Sequence, residues 1–310
     1  MEYNWLLIAL IAPFLWALVT VLDNYFVHSV YQDEYDGVVV SGFFQLLPWL
    51  LVVLGLVEFQ YPGHRIASLA LLSGAFFLGY LFFYFKALFI SNDSAMADIF
   101  SNLSVVFVPF IAWLFIHEKL TLTHYGSVGI AFIGILIFFF DREIVKSRLN
   151  KFTFFMVLSA VFLSISMVVS KGAFQDVYDF WSIFLLFCLG GFISGLFFLI
   201  ISPKSIADRI RRLFWNNRHQ NTAFFISEAL SVVATLASQR AISLAPAVSY
   251  IAIIESLVPV FVMTISLVLA WWFGKLGLLK IQKVYQQQFS SFVPKLIGTI
   301  LLVVSIYIIS

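Results

Sequence analysis

Residues 241–274 read AISLAPAVSYIAIIESLVPVFVMTISLVLAWWFG, and Glu255 is the one charged residue among them. Residues 219–239 read HQNTAFFISEALSVVATLASQ and hold a single acid, Glu228. Both stretches reach the roughly 20 residues that a helix needs to cross a bilayer. A carboxylate at the centre of a membrane helix costs about 2.5–3.5 kcal/mol on insertion scales. Two such acids therefore predict side chains that face a cavity or each other, and not lipid.

The composition of the whole chain extends this interpretation. Of the 310 residues, 62% are hydrophobic and 11% are charged, whereas a soluble domain carries about 25% charged residues. Only helices and closed barrels satisfy their backbone hydrogen bonds in lipid, and a barrel would alternate apolar and polar residues over segments of roughly 10 residues. The runs here are apolar throughout, so we predict an all-α, multi-pass membrane protein.

Apolar runs between charged segments predict ten transmembrane helices. They cover residues 4–27, 37–57, 66–90, 95–116, 123–140, 152–172, 180–201, 220–243, 247–273 and 292–309. The chain also repeats weakly, since LSVVFVPF at 103–110 is followed 150 residues later by IIESLVPV at 253–260. Five helices in each half would insert the halves in opposite orientations, and in such inverted repeats the binding site lies near the midplane between them. We therefore predict one integral membrane domain, with a first repeat over 1–145 and a second over 146–310 around a central cavity.

The first half contains a pattern that resembles a known family. VP at 108–109, IHEKLT at 116–121 and YGSVGIAFIG at 125–134 are similar to the EamA-type transporters of the drug/metabolite transporter superfamily. The resemblance implies ten helices in two inverted halves, with helices 1, 3, 4, 6, 8 and 9 lining the cavity and helices 5 and 10 outside it. The second half departs from the pattern, because LAWWFGK at 269–275 has no acid where Glu118 would match.

Charged and polar residues inside the predicted helices are the candidates for binding a substrate. Glu228 and Glu255 each lie about 12 Å from a membrane face at 1.5 Å per residue, near the bilayer centre on consecutive helices. The predicted substrate-binding residues are Glu228, Glu255, Asp98, Asn102, Lys86, Asp23, Tyr84, Tyr250 and Arg240. Trp16 and Tyr80 are further candidates for stacking on a substrate.

Each candidate also has a structural alternative. The two glutamates can be protonated, hydrogen-bonded acids, whereas Lys86 and Arg240 lie near helix ends, from which long cationic side chains reach the interface. Asp23 and Asp98 can cap helices or favour a helix dipole. Glu118 lies in a loop, where a structural role is expected.

Two arguments about orientation disagree. Of the 18 Lys and Arg residues, four lie on the side of the N-terminus and fourteen on the other side, largely in the loops 141–151, 202–219 and 274–291. Loops rich in Lys and Arg stay cytoplasmic, which places both termini outside, whereas the family resemblance implies termini inside. The 202–219 loop alternates basic and apolar residues and predicts an interfacial helix against anionic lipid headgroups. A nucleic-acid patch fits poorly in so short a loop.

Motifs for other chemistry are lacking in the sequence. HEKLT at 117–121 lacks the second His of a metalloprotease helix, and no phosphate-binding Gly loop or Cys pair is present. We therefore expect no enzyme activity, no metal and no cofactor, and no nucleic-acid partner.

The prediction is a secondary transporter of a small polar or amphipathic metabolite, amino-acid-like or drug-like, by alternating access in a bacterial inner membrane. It would couple to protons or facilitate export, as a monomer or homodimer among membrane lipids. The alternatives are a membrane enzyme or a protein that handles a phosphorylated lipid headgroup, and a receptor or assembly subunit without transport.

Overall fold

A computed structural model describes residues 4–29, 31–90, 102–138, 151–175, 179–211, 213, 221–275 and 292–310 of the chain. The regular secondary structure of these residues is helical throughout. The helices are α1 Asn4–Ser29, α2 Glu34–Phe44, α3 Trp49–Val53, α4 His64–Ile90, α5 Ser104–Phe115, α6 Leu122–Phe138, α7 Lys151–Phe174, α8 Phe180–Ile201, α9 Ile206–Arg211, α10 Asn221–Leu244, α11 Val248–Glu255, α12 Val258–Lys275 and α13 Phe292–Ile309.

Every one of the ten predicted segments contains a described helix or a pair of short helices. The second segment is broken into α2 and α3 at a turn that ends with Pro48, and the ninth is broken into α11 and α12 at residues 256–257. Pro259 lies in the first turn of α12, where its missing N–H leaves no hydrogen bond unmade. Within the described ranges, six segments are long and apolar enough to cross a membrane. The crossing of all ten, and the inverted repeat, stay predictions.

The helices pack in a pattern that leaves one pair at the side. Apart from the contact between α6 and α13, the largest interfaces join α4 to α7 and α8, α1 to α10, and α2 to α8. α5 lies against α7 and α11, and α1 also contacts α11 and α12. α6 and α13 pack mainly on each other, so the predicted fifth and tenth helices stand beside the bundle that the others form.

Glycine allows α4 and α8 to approach each other closely. A Cβ placed on Gly74 would lie 1.9 Å from the Phe187 carbonyl oxygen, and one on Gly190 would lie 2.0 Å from that of Leu71. On an adjacent face of α4, Ser73 Oγ donates to the Ser166 carbonyl of α7 at 2.8 Å. Small residues at helix interfaces are how membrane helices gain van der Waals contact and hydrogen bonds without a hydrophobic driving force.

A buried ionic cluster ties the connection after α8 to the start of α2. Arg209 has 1% of its surface exposed and donates from Nη1 and Nη2 to the two carboxylate oxygens of Asp33 at 2.7 and 3.1 Å. Its Nη1 also donates to the fully buried Asp36. Lys204 Nζ lies 2.8 Å from Asp33. Burial alone would raise the pKa of Asp33, but the hydrogen bonds from Arg209 and Lys204 outweigh it and hold that pKa at about 2.

This cluster corrects the prediction for the 202–219 loop. A short helix does form there, α9, but Arg209 points into the protein and neutralises two acids instead of facing lipid headgroups. Arg211, two residues on, is exposed. The alternating pattern of the loop therefore has a buried basic position, which the sequence pattern did not reveal. The segments 139–150, 214–220 and 276–291, which complete the three predicted basic loops, lie outside the described residues.

Candidate solute cavity

One cavity lies between the helices and is lined from six of the predicted spans. Side chains come from four helices, α1, α4, α7 and α10. Further lining residues lie at the start of α5 and on either side of the break between α11 and α12. These are the first, third, sixth, eighth, fourth and ninth predicted spans. The cavity leaves about 90 Å³ for the centres of water-sized molecules. Its lining is formed by Trp16, Thr20, Phe77, Tyr80, Tyr84, Asn102, Ser104, Leu163, Ser166, Met167, Thr235, Ser238, Gln239, Glu255 and Val258.

Glu255 is the one charged side chain in this lining among the residues that the structure describes. It is the last residue of α11, and the chain turns at 256–257 before α12 begins at Val258. Ser238 Oγ of α10 donates to Glu255 Oε1 at 2.5 Å. The break in the ninth span thus places a carboxylate at the cavity wall, where Ser238 fixes one of its oxygens.

Gln239 adds an acceptor without a partner. Its side chain is 4% exposed, and Oε1 makes no hydrogen bond within the described part of the chain. A buried amide oxygen left unpaired costs about 1–3 kcal/mol, so a group in the cavity that donates a hydrogen bond to it would be stabilised. Asn102 and Thr20 bring further polar groups to the same lining.

Four aromatic rings also belong to the lining. Trp16 lies 6.1 Å from Phe77 between ring centroids, Phe77 lies 5.8 Å from Tyr80, and Tyr80 lies 6.0 Å from Tyr84. The last three share one face of α4 because their numbers differ by three and four. Aromatic faces carry negative partial charge and attract cations. The aromatic rings and Glu255 therefore both favour a positively charged solute.

The cavity contains three of the predicted binding residues, namely Glu255, Asn102 and Tyr84. Trp16 and Tyr80, which were predicted to stack on a substrate, also line it. The structure thus places these five residues at the cavity, whereas their binding of a solute stays a prediction.

Glu228 is not in the described lining, although its sequence context matches that of Glu255. Its side chain is 4% exposed and accepts a hydrogen bond from Ser41 Oγ of α2 at 3.3 Å. The two acids therefore do not meet in one chamber. Glu228 fits the alternative of a hydrogen-bonded structural acid between α10 and α2.

Three other predicted residues have partners away from the cavity. Lys86 Nζ lies 3.6 Å from Glu34 and over the rings of two phenylalanines. The Tyr250 hydroxyl lies 2.8 Å from His124 Nδ1. Arg240 is exposed, and its guanidinium stacks on Phe180. Their sequence positions could not show which neighbour each side chain meets.

The last two predicted residues cannot be placed against the cavity. Asp98 lies outside the described residues, and so does the side chain of Asp23, whose backbone belongs to α1. Within the described ranges, no group of three or more His, Cys, Asp or Glu residues is arranged to hold a metal ion.

The polar face of α10 was not among the predicted binding residues. Thr235, Ser238 and Gln239 line the cavity, and they follow Glu228 and Ser231 at intervals of three and four residues. That spacing places all five on one face of a helix. The polar stripe was therefore visible in the sequence, but attention to charged residues alone missed it.

Two charged residues fix the turn that joins α10 to α11. Lys171 Nζ of α7 donates to the carbonyl oxygens of Ile242 at 3.0 Å and Ala245 at 2.5 Å, where α10 ends. Glu118 accepts from the backbone N–H groups of Val248 at 2.8 Å and Ser249 at 3.3 Å, where α11 begins. The free C=O groups at the end of α10 thus meet a cation, and the free N–H groups at the start of α11 meet an anion, as the helix dipoles favour. Glu118 thus has the structural role that was expected, and it orients the helix that carries Glu255.

Comparisons with known proteins agree with this architecture. Residues 3–140 match the profile of the EamA-like transporter family. A search of the curated proteins gave no match. A solved structure described as "Crystal structure of protein" is similar over 99% of this chain and 96% of its own, with a TM-score of 0.66 and 15% sequence identity. At that identity the likeness concerns the fold alone. Residues 3–140 are thus similar to the EamA-like transporter family of the drug/metabolite transporter superfamily, and the apolar helices of the chain agree with a multi-pass membrane protein of that type.

Proposed function

We propose that the chain is a secondary transporter that carries a small amphipathic organic cation through the cavity around Glu255, in exchange for protons, across a bacterial inner membrane. The observation that carries this proposal is the cavity lining, which combines aromatic rings with a carboxylate and an unpaired amide oxygen. Energy would come from an ion gradient, since the sequence contains no nucleotide-binding motif.

The charge of the lining favours a cation over a zwitterion. A buried carboxylate requires a proton or a positive partner to offset its lost hydration, and a protonated or quaternary amine supplies the latter. The carboxylate of an amino acid would need a cation of its own. Lys86 and Arg240, which suggested such a site from the sequence, lie outside the lining and have other surroundings. The cationic, drug-like solute is therefore preferred to the amino-acid-like one.

The arrangement of helix contacts supports alternating access by two inverted halves. In an inverted repeat, the third span corresponds to the eighth and the sixth corresponds to the first. The interface of α4 with α7 (spans 3 and 6) then corresponds to that of α10 with α1 (spans 8 and 1), and both are among the largest between the described helices. Likewise, α5 on α7 maps onto α11 and α12 on α1. Interfaces related in this way are expected when one repeat can rock against the other around a fixed site.

The size of the cavity indicates that movement accompanies transport. Ligand pockets are typically about 300–1,000 Å³, and the 90 Å³ found here would have to widen for a drug-sized solute. Pro13 inside α1 and Pro109 inside α5 interrupt helical hydrogen bonding, as does the turn before α12. All three points lie on helices that line the cavity and are suitable hinges.

Uptake into proteoliposomes tests this proposal. We expect vesicles that are acidic inside to accumulate benzyltrimethylammonium, which is permanently charged and cannot enter as a neutral base, and a protonophore should abolish the accumulation. Phenylalanine, a zwitterion of similar size, should be taken up no faster than by vesicles without protein. Accumulation of phenylalanine without the quaternary cation would contradict the proposed substrate class. Absence of flux for both would contradict the proposed function.

A further inference from the structure

A groove on the outer surface of the bundle lies apart from the solute cavity. It is formed between α1, the beginning of α8 and the second half of α10, and it has a volume of about 630 Å³. Its floor is apolar, with Ile8 and Ile11 from α1 and Val233 and Leu236 from α10, and Arg240 stands at one end.

Arg240 is a cation without a counter-ion in this groove. Its side chain is exposed, and its guanidinium carbon lies 5.0 Å from the centroid of the Phe180 ring. It forms no ion pair within the described part of the chain. Asp179 also lines the groove, but its carboxylate accepts hydrogen bonds from the backbone N–H groups of Trp181 at 3.2 Å and Ser182 at 3.1 Å. That acid thus caps α8, while the cation–π contact holds the Arg240 guanidinium at the groove and leaves its N–H donors available.

The groove is polar near the end of α10 and apolar farther along the helix axes. Arg240 lies four residues before the end of α10 at Leu244, about 6 Å from that end at 1.5 Å per residue. Val233 lies about 16 Å from the same end, and Ile11 about 10 Å from the start of α1. Ile11 and Val233 are each 48% exposed. In a membrane protein such surfaces face acyl chains, while a cation near the helix ends faces headgroups.

We infer that this groove binds an anionic phospholipid. Its phosphate accepts hydrogen bonds from Arg240, and an acyl chain lies over Ile11 and Val233. The guanidinium fork is suited to two phosphate oxygens. Because Gln239 precedes Arg240 and lines the solute cavity, the lipid would hold the segment of α10 from which Ser238 and Gln239 reach the solute. Lipid binding and solute binding would then influence each other through one helix.

Native mass spectrometry of the full chain in detergent, with added dioleoylphosphatidylglycerol or dioleoylphosphatidylcholine, tests the inference. The wild-type protein should retain phosphatidylglycerol more strongly than phosphatidylcholine. Arg240→Gln should weaken binding of phosphatidylglycerol about five- to tenfold, the effect of one basic side chain at a membrane surface. Arg240→Lys should recover part of the loss because the charge is kept.

Arg211→Gln is the matched control, since it removes an exposed arginine elsewhere and should leave lipid binding unchanged. Glycerol 1-phosphate, which has the phosphate without acyl chains, should not compete with the lipid at equal concentration. Equal retention of phosphatidylglycerol by the wild type and by Arg240→Gln, with both proteins folded by circular dichroism, would overturn the inference. So would effective competition by glycerol 1-phosphate, because the apolar floor would then contribute nothing.

Discussion

Glu255→Gln is expected to abolish proton-driven accumulation of the cation and to weaken its binding by about 10- to 150-fold. Glutamine has nearly the same shape as glutamate and can still accept the hydrogen bond from Ser238, so the cavity keeps its form. The negative charge is lost, however, and its attraction for a positive charge about 6–10 Å away is worth about 1.5–3 kcal/mol at an effective dielectric constant near 20. The amide also binds no proton, so solute and proton can no longer alternate on one group. Cation uptake in proteoliposomes and binding by isothermal titration calorimetry measure the two effects.

Glu228→Gln is the control for this prediction. Both acids are flanked by long uncharged stretches, but Glu228 is hydrogen-bonded to Ser41 and lies outside the described lining. Its replacement should leave cation affinity within about twofold of wild type. Residues that share no contact usually influence each other by only about 0.3–0.5 kcal/mol. Wild-type uptake by Glu255→Gln would refute the role assigned to that residue. Loss of uptake in a folded Glu228→Gln protein, with Glu255→Gln active, would place the essential acid nearer the start of α10, outside the described cavity lining.

Arg209→Ala is expected to lower the free energy of unfolding by about 3–5 kcal/mol, the usual cost of breaking a buried ion pair by removing one partner. The substitution would leave Asp36 fully buried without its cation and Asp33 with Lys204 alone. Unfolding in mixed micelles of increasing sodium dodecyl sulfate fraction, followed by tryptophan fluorescence, gives the change.

A double variant shows whether the loss of stability comes from an unpaired buried charge or from lost packing. Arg209→Met fills much of the same space, and Asp36→Asn removes the charge left behind, so the double variant should recover most of the stability. Arg211→Ala, an exposed arginine on the same short helix, should change the stability by less than about 0.5 kcal/mol. If Arg209→Ala unfolded like the wild type, the cluster would not stabilise the packing of α9 against the start of α2.

The helices were predictable from the sequence because their signal is local. The bounds 180–201 were predicted correctly for α8, where an apolar run follows Asp179, a residue that caps the helix with its side chain. The break within the second span was missed because residues 45–48 are mostly apolar, and apolarity cannot distinguish a buried turn from a helix. Pro48 was visible, but membrane helices tolerate proline, so it did not by itself mark the turn.

The partners of the charged residues were not predictable, because they lie far away in the chain. Glu228 and Glu255 are alike in sequence, and the difference between them arises from Ser41, on another helix, and from the turn at 256–257. Arg209 was assigned to the lipid interface because its acids precede it by 173 and 176 residues. The local pattern thus predicted the helix on which each group lies, whereas only the packing of the helices showed its neighbour.

Cysteine labelling tests most directly whether the cavity around Glu255 is the path of the solute. The native Cys188 is fully buried and is replaced by alanine, and Thr20, which lines the cavity, is changed to cysteine in that background. Thr264→Cys, on an exposed face of α12, is the lipid-facing control. We predict that a membrane-impermeant thiosulfonate reacts with the residue-20 cysteine, that benzyltrimethylammonium slows this reaction, and that the control cysteine does not react. A residue-20 cysteine that is inert from both sides of the membrane, or that reacts at a rate unaffected by a transported cation, would contradict the account.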